Sequence, residues 1–548
     1  MTTGGAREVR IEGAAKIGED NLEDGQARGV LEHPTEAGQA PPPPTTRRGD
    51  PVGGSLSGAG SMAGKVAKGA QWSAVSNLGG QGVQFLAGLV LARLLTPTAY
   101  GTMASVYVIT GFAVLFFELG LGSAVIALRD PSQRDLSTAF WINALGGVAF
   151  TLLLAAAGPL VALIFGDPKL VALTPLVGLT FLFGVGGVHN SLLQRQLRFK
   201  AIAVIRIVPI AVAFAVTIAF AALGFGVYAL VIGPIVSSIL SSAMSWAAVP
   251  WRPTGFISRE SLPRLWAFSG GQLGFNVVNY WGRNADNYLV SAYVSQAALG
   301  FYNKAYQLML LPVTQVSQVL GRVMFPALAA MKDDHVRVAR AYLRALKLIN
   351  LIAVPALVGM AATAPGLVPL LWGGQWGAAV PLLMVLSIAG VPQCMAASGG
   401  WLYQSQNRTG SMFRVGAVTS AVGIALMVAG LLLGLQSSLG GPMGVALAVL
   451  VRMWLLTPAT LHYAGRLVGL PARRIVRQGA PIIAISAVMF AVVWFTPTVL
   501  SLSRTGATAT VVQVVLGAAV YGSLAFAFQR SAVTEALSMI RRRRSAAA

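Results

Sequence analysis

The chain has 548 residues, of which 55% are hydrophobic and only 11% charged, and its mean hydropathy is +0.68. That balance excludes an ordinary soluble globular protein of this size and fits an all-α, polytopic membrane protein. The net charge of +22 is split: residues 1–64 hold nine acids and six bases, whereas residues 65–548 hold 34 bases and nine acids.

Residues 1–64 read as a disordered cytoplasmic tail, rich in Gly, Ala, Glu and Pro, with the run Pro41–Pro44 and few large apolar residues. They contain no apolar segment of signal-peptide type, so the first apolar span is expected to direct insertion. Apolar spans of about 20 residues then recur, the length that crosses a bilayer as a helix. About fourteen are expected, at 69–93, 101–122, 138–165, 170–193, 202–223, 227–249, 265–292, 302–328, 343–363, 378–403, 411–434, 442–464, 480–498 and 507–528. The connections are short, which leaves no room for an extramembrane catalytic domain.

Basic residues orient the spans. The even-numbered connections hold 20 Lys and Arg residues, and the odd-numbered ones hold only Arg93, Lys169 and Arg504. The positive-inside rule then puts both termini in the cytoplasm. The tail 531–548, with Arg541–Arg544, is either a solvated end or a contact for anionic lipid. Nucleic acid is not an expected partner, because no soluble domain presents a basic face.

A shift of 199 residues pairs Asn77 with Asn276, Ala99 with Ala298, Gly101 with Gly300 and Tyr107 with Tyr306. The match is thin, but it sets span 1 on span 7 and span 2 on span 8. It divides the chain into an N-lobe (65–250), a C-lobe (251–466) and an appended pair of spans (467–530). Duplicated bundles of this kind carry their substrate site between the halves.

Polar residues inside apolar spans must face protein or water. At 100° per residue, Gln272, Asn276, Asn279, Arg283, Asp286 and Asn287 of span 7 fall within about a 100° arc. Lys304, Gln307, Gln315, Gln318 and Arg322 of span 8 fall within about an 80° arc. Span 1 carries a milder stripe of Ser73, Asn77, Gln81 and Gln84. Three stripes suggest one shared, hydrated cavity; the competing reading is interhelical hydrogen bonding. Arg283 and Asp286 are spaced for an ion pair, either structural or part of a coupling mechanism. Arg322 lacks an acidic neighbour in sequence and suits an anion, or else snorkels to the surface. Arg452 either lines the cavity or pairs structurally. Glu118 is a cation-binding or Arg-pairing candidate, and His189 and His462 read as interfacial.

Enzyme signatures are missing: there is no P-loop and no HExxH motif. The single cysteine, Cys394, excludes an intramolecular disulfide and a thiolate metal site, and no metal or other cofactor is expected. Any driving energy comes from an ion gradient, the membrane potential or substrate flux.

Several stretches together resemble the multidrug/oligosaccharidyl-lipid/polysaccharide exporter superfamily, above all its bacterial polysaccharide transporter branch, the oligosaccharide flippases. They are GAQWSAVSNLGGQGVQFLAGLVLARLLTPTAYG (69–101), FELGLGSAVI (117–126), LLQRQLRFK (192–200), GRNADNYLVSAYV (282–294) and LGFYNKAYQLMLLPVTQVSQVLGRVMFPALAAMKDD (299–334). The resemblance covers about 69–465. It implies two six-helix lobes around a central cavity, alternating access, and an undecaprenyl pyrophosphate-linked oligosaccharide as cargo, with polysaccharide assembly proteins and membrane lipids as partners. The role of holding pyrophosphate or acidic sugars would fall to Arg283, Arg322 and Arg452. Spans 13–14 are similar to the pair that forms a lipid groove in the lipid II flippase branch. Four functions therefore compete: an oligosaccharide flippase, a lipid II flippase or cation-coupled exporter, a membrane polymerase, and a non-transporting scaffold.

Overall fold

The computed structural model describes residues 59–117, 125–126, 128, 130–258, 260–535 and 538, with side chains undescribed at 59–71, 73–75, 78, 116–117 and 261–275. The expected tails at 1–58 and 539–548, and Glu118, lie outside the described residues. So do the side chains of Ser73 and Gln272. Among the described residues the secondary structure is helical throughout, without a strand.

In chain order the helices are α1 (Ala59–Leu94), α2 (Pro97–Phe117), α3 (Gln133–Phe165), α4 (Leu170–Leu182), α5 (Gly187–Arg195), α6 (Phe199–Ala222), α7 (Val227–Ala248) and α8 (Ser261–Tyr293). They continue as α9 (Gln296–Ala330), α10 (His335–Trp372), α11 (Ala379–Ala397), α12 (Gly399–Ser405), α13 (Thr409–Gln436), α14 (Gly441–Arg466), α15 (Ala472–Val499) and α16 (Ala507–Phe528). Helix α1 begins at Ala59, so part of the expected tail is helical.

Among the described residues, twelve segments are long and apolar enough to cross a membrane, with α4–α5 and α11–α12 each counting as one broken span. The count of fourteen differs because α1 and α8, where spans 1 and 7 are expected, do not join the twelve. Side chains in both helices, at 59–71, 73–75 and 78 in α1 and at 261–275 in α8, are undescribed and do not enter that count. Large apolar side chains stand exposed along the spans, among them Leu152 (65%), Leu163 (79%), Leu433 (67%) and Val515 (64%). Such faces need lipid or protein rather than water.

Local signals set the ends of several helices. Ser132 and Asp135 form a reciprocal capping box at the start of α3: the Asp135 N–H donates to Ser132 Oγ at 3.1 Å, and the Ser132 N–H donates to Asp135 Oδ2 at 3.0 Å. Ser295 caps α9 and Asp334 caps α10 in the simpler one-way form.

Helices α2 and α9 cross where neither side has a Cβ. A methyl on Gly101 would collide with the Gln296 carbonyl, and one on Gly300 with the Pro97 carbonyl. The contact is reciprocal under the 199-residue shift, since 97 maps to 296 and 101 to 300. Small residues permit such close backbone approach in membrane bundles. Beside the crossing, Ser105 Oγ donates to Gln296 Oε1 at 2.6 Å, and Gln296 Nε2 donates to the Phe165 carbonyl at 3.2 Å.

A second correspondence lies further along. Both broken spans end in related sequences, LLQRQLRF (192–199) and LYQSQNRT (402–409). In each, the residue before the arginine has a left-handed backbone: Leu197 at φ 54° and Asn407 at φ 55°. Their hydrogen bonds also match: the Arg198 N–H donates to the Leu193 carbonyl at 3.0 Å, and the Arg408 N–H to the Tyr403 carbonyl at 2.8 Å. The offset here is 210 residues rather than 199, so no single shift displays the whole repeat.

Candidate functional site

The α8–α9 hairpin places Arg283, Asp286, Lys304 and Arg322 within two expected spans. Together with α11–α14 it surrounds a cavity of about 840 Å³. Helix α8 contributes Asn279, Arg283 and Asp286, and α9 contributes Tyr306, Ser317, Gln318 and Arg322. The opposite wall holds Gln393, Trp401, Thr419, Ser420, Arg452, Thr457 and Thr460. On α9 the lining positions recur at three- and four-residue spacing, which is one face of a helix.

The three arginines differ. Arg283 and Arg322 are exposed to the cavity and form no hydrogen bond or ion pair among the described residues. Arg452 is half-buried and donates to the Gly282 carbonyl at 2.9 Å. Its guanidinium lies across Gly423 of α13, where any Cβ would meet it, so the glycine makes its position possible. The cavity therefore has two open cations and one that is held at the seam of α8, α13 and α14.

Asp286 is 1% exposed and turns toward α9. Tyr302 donates its hydroxyl to Oδ2 at 2.8 Å, and the Asn287 N–H donates to Oδ1 at 2.8 Å. The expected Arg283–Asp286 ion pair is therefore not formed; among the described residues the one ion pair within 4.0 Å joins Arg134 and Glu260. Burial explains the difference: the carboxylate takes donors at the α8–α9 contact, while the longer Arg283 side chain reaches open space.

The remaining candidates lie elsewhere. Asn276, one turn before Asn279, is half-buried but off the lining. Gln315 falls about 20° past Arg322 at 100° per residue, just beyond the lining face. Lys304, only 9% exposed, sits 4.0 Å from the centre of the Tyr100 ring and 6.0 Å from that of Trp372. The span 1 stripe does not share this cavity. Helix α1 packs against α6, where Asn77 accepts a hydrogen bond from Arg206 at 2.7 Å, and Gln84 is exposed away from the lining. His189 is fully buried and stacks on Trp246 near the end of α7, with ring centres 4.6 Å apart.

Apart from Arg452, the sequence reading missed the far wall. Gln393 is a single polar position in an apolar run and forms no stripe. Trp401 covers Gly321 just past the break between α11 and α12. The LYQSQNRT repeat marks the end of α12, and Gln404 within it lines the cavity.

Residues 90–381 match the family described as "Polysaccharide biosynthesis protein", which is more than half of the chain. The chain belongs to that family. The match takes in the α8–α9 wall of the cavity but stops before the wall formed by Gln393–Thr460.

Named members of polysaccharide pathways are similar over most of their own length. The teichuronic acid biosynthesis protein TuaB of Bacillus subtilis (strain 168) is 27% identical over 358 residues, covering 64% of this chain and 73% of TuaB. The lipopolysaccharide biosynthesis protein WzxC of Escherichia coli (strain K12) is 23% identical over 390 residues, covering 71% of this chain and 78% of WzxC. Among solved structures, the lipid II flippase MurJ in its inward closed conformation superposes with a TM-score of 0.65 at 16% identity, covering 84% of this chain and 99% of MurJ. An inward-facing multidrug resistance MATE family transporter of the MOP superfamily gives a TM-score of 0.55 at 14% identity, covering 72% of this polysaccharide biosynthesis family chain and 96% of the transporter. These two likenesses show the fold.

Proposed function

We propose that the protein is a flippase that moves an undecaprenyl pyrophosphate-linked oligosaccharide across the cytoplasmic membrane by alternating access, for cell-surface polysaccharide biosynthesis. The observation that carries this reading is the 840 Å³ cavity with two guanidiniums, Arg283 and Arg322, that are unpaired among the described residues and sit where spans 7 and 8 are expected. Charges at that depth are costly and mark a pathway or a ligand. An arginine offers a planar fork that matches phosphate oxygens, and Arg452 adds a third positive charge in a fixed place. Asn279, Gln318, Thr419 and Thr460 supply neutral donors and acceptors suited to sugar hydroxyls.

In this reading the chain divides into lobes at 65–250 and 251–466, with spans 467–530 appended, and both termini are cytoplasmic. The reciprocal Gly101–Gly300 crossing and the paired 192–199 and 402–409 motifs support the division. The protein performs no covalent chemistry and needs no cofactor; its partners are the lipid-linked glycan, membrane lipids and the polysaccharide assembly proteins.

The test is translocation in proteoliposomes. Purified full-length protein is expected to move a fluorescent undecaprenyl pyrophosphate-linked oligosaccharide between leaflets and to leave a dansylated lysophospholipid in place. Movement of lipid II at the same or a higher rate would transfer the assignment to peptidoglycan precursors. Movement of neither would remove the flippase reading.

A further inference from the structure

A second cavity, of about 610 Å³, lies where the start of α6 meets the end of α7. Its apolar wall includes Ala201 and Val204 from α6 and Met244 and Ala248 from α7, and its polar rim is Arg198 and Lys200. Four bases crowd this stretch of sequence, and the structure divides their work. Arg195 donates to the carbonyls of Val125, Ile126 and Leu128, and Arg206 donates to Asn77. Arg198 spends one terminal nitrogen on the Ala248 carbonyl at 2.7 Å. That bond covers an oxygen that would repel an anion, fixes the guanidinium at the rim and leaves its other N–H donors. Lys200 lies 5.9 Å from the centre of the Trp72 ring.

Both helices are membrane spans, and the pocket sits at the ends of both. It therefore lies at the depth of the lipid headgroups, the level that tryptophans such as Trp72 favour. Beyond the rim, α6 continues as a stripe of Val204, Val208 and Val212, spaced four residues apart and each 39% exposed. The two cations thus stand at one end of an apolar track that runs along the membrane span.

We propose that this pocket binds an anionic phospholipid, with its phosphodiester headgroup between Arg198 and Lys200 and one acyl chain along Val204, Val208 and Val212. Inorganic phosphate would use the cations and leave the stripe empty. A zwitterionic lipid would use the stripe but bring its own cation to a basic rim. A basic residue near an anionic headgroup strengthens binding several-fold, so a pair strengthens it on the order of tenfold.

The experiment is native mass spectrometry of the full-length protein in detergent with equal amounts of palmitoyl-oleoyl phosphatidylglycerol and phosphatidylcholine. Wild type is expected to retain phosphatidylglycerol in preference, and the Arg198→Gln/Lys200→Gln variant to lose about tenfold of that retention while unfolding at the same temperature in phosphatidylcholine. Equal retention of the two lipids by wild type, undiminished retention by the variant, or displacement of the lipid by millimolar inorganic phosphate overturns the proposal. Where the variant fails to fold, wild type decides. A phosphatidylglycerol with a diazirine on its acyl chain should label the peptide 197–212, and labelling confined to other helices overturns the proposal.

Discussion

Replacing the cavity arginines one at a time separates cargo binding from structural support. Arg283 and Arg322 make no hydrogen bond among the described residues, so Arg283→Gln and Arg322→Gln should change stability by no more than about 0.5 kcal/mol. Each removes one charge-assisted contact to pyrophosphate, worth about 1.5–3 kcal/mol, and should raise the half-saturating cargo concentration by about ten- to a hundredfold. Arg452→Gln behaves differently. It removes a charged donor from the Gly282 carbonyl, which accepts at 2.9 Å, and opens space beside Gly423, so it should cost about 1–3 kcal/mol of stability as well as transport. The assay pairs thermal unfolding in detergent with translocation of the lipid-linked oligosaccharide over a range of cargo concentrations. An unchanged half-saturation in both Arg283→Gln and Arg322→Gln refutes the cation-lined binding site. A stability loss in those variants equal to that of Arg452→Gln refutes the division of roles.

At the α2–α9 crossing, Gly101→Ala should cost about 1–3 kcal/mol, because its methyl meets the Gln296 carbonyl. Gly79→Ala meets only Ile207 Cδ1 at 3.6 Å and should be neutral or stabilising, which chemical denaturation of the two variants compares directly. Lys304→Met keeps the shape of a buried side chain and removes a charge with no acidic partner among the described residues. The lost cation–π contact, about 0.5–2 kcal/mol, and the relieved desolvation nearly cancel, so its melting temperature should stay close to wild type. Leu197→Asn copies the residue found at the matching left-handed position, Asn407, and should raise the melting temperature by relieving a backbone cost of about 1 kcal/mol.

Much of the helical pattern was legible because span length and apolar composition are local properties. The expected spans fall on helices of the structure. Phasing placed Asn279, Arg283, Asp286, Gln318 and Arg322 on the faces that line the cavity. It did not reveal what each side chain bonds to. Periodicity gives an angle around one helix, whereas Tyr302 reaches Asp286 from another helix and Arg206 draws Asn77 toward α6. The breaks in α4–α5 and α11–α12 were hidden for a related reason: each half of a broken span is still apolar. The turn sequences around Leu197 and Asn407 mark where the broken spans end, not where they break.

The lining of the large cavity has a consequence for how cargo preference can change. Every described lining residue falls between Asn279 and Thr460, a single contiguous stretch of the chain. On the proposed function, the residues that select cargo are thus compact in the gene even though the cavity's walls come from six helices. A recombination event or a designed chimera that exchanges this one stretch carries both the charged wall and the neutral wall together. The six spans that precede it can then diverge by packing rules alone, while on the proposed function the cavity answers to the glycan.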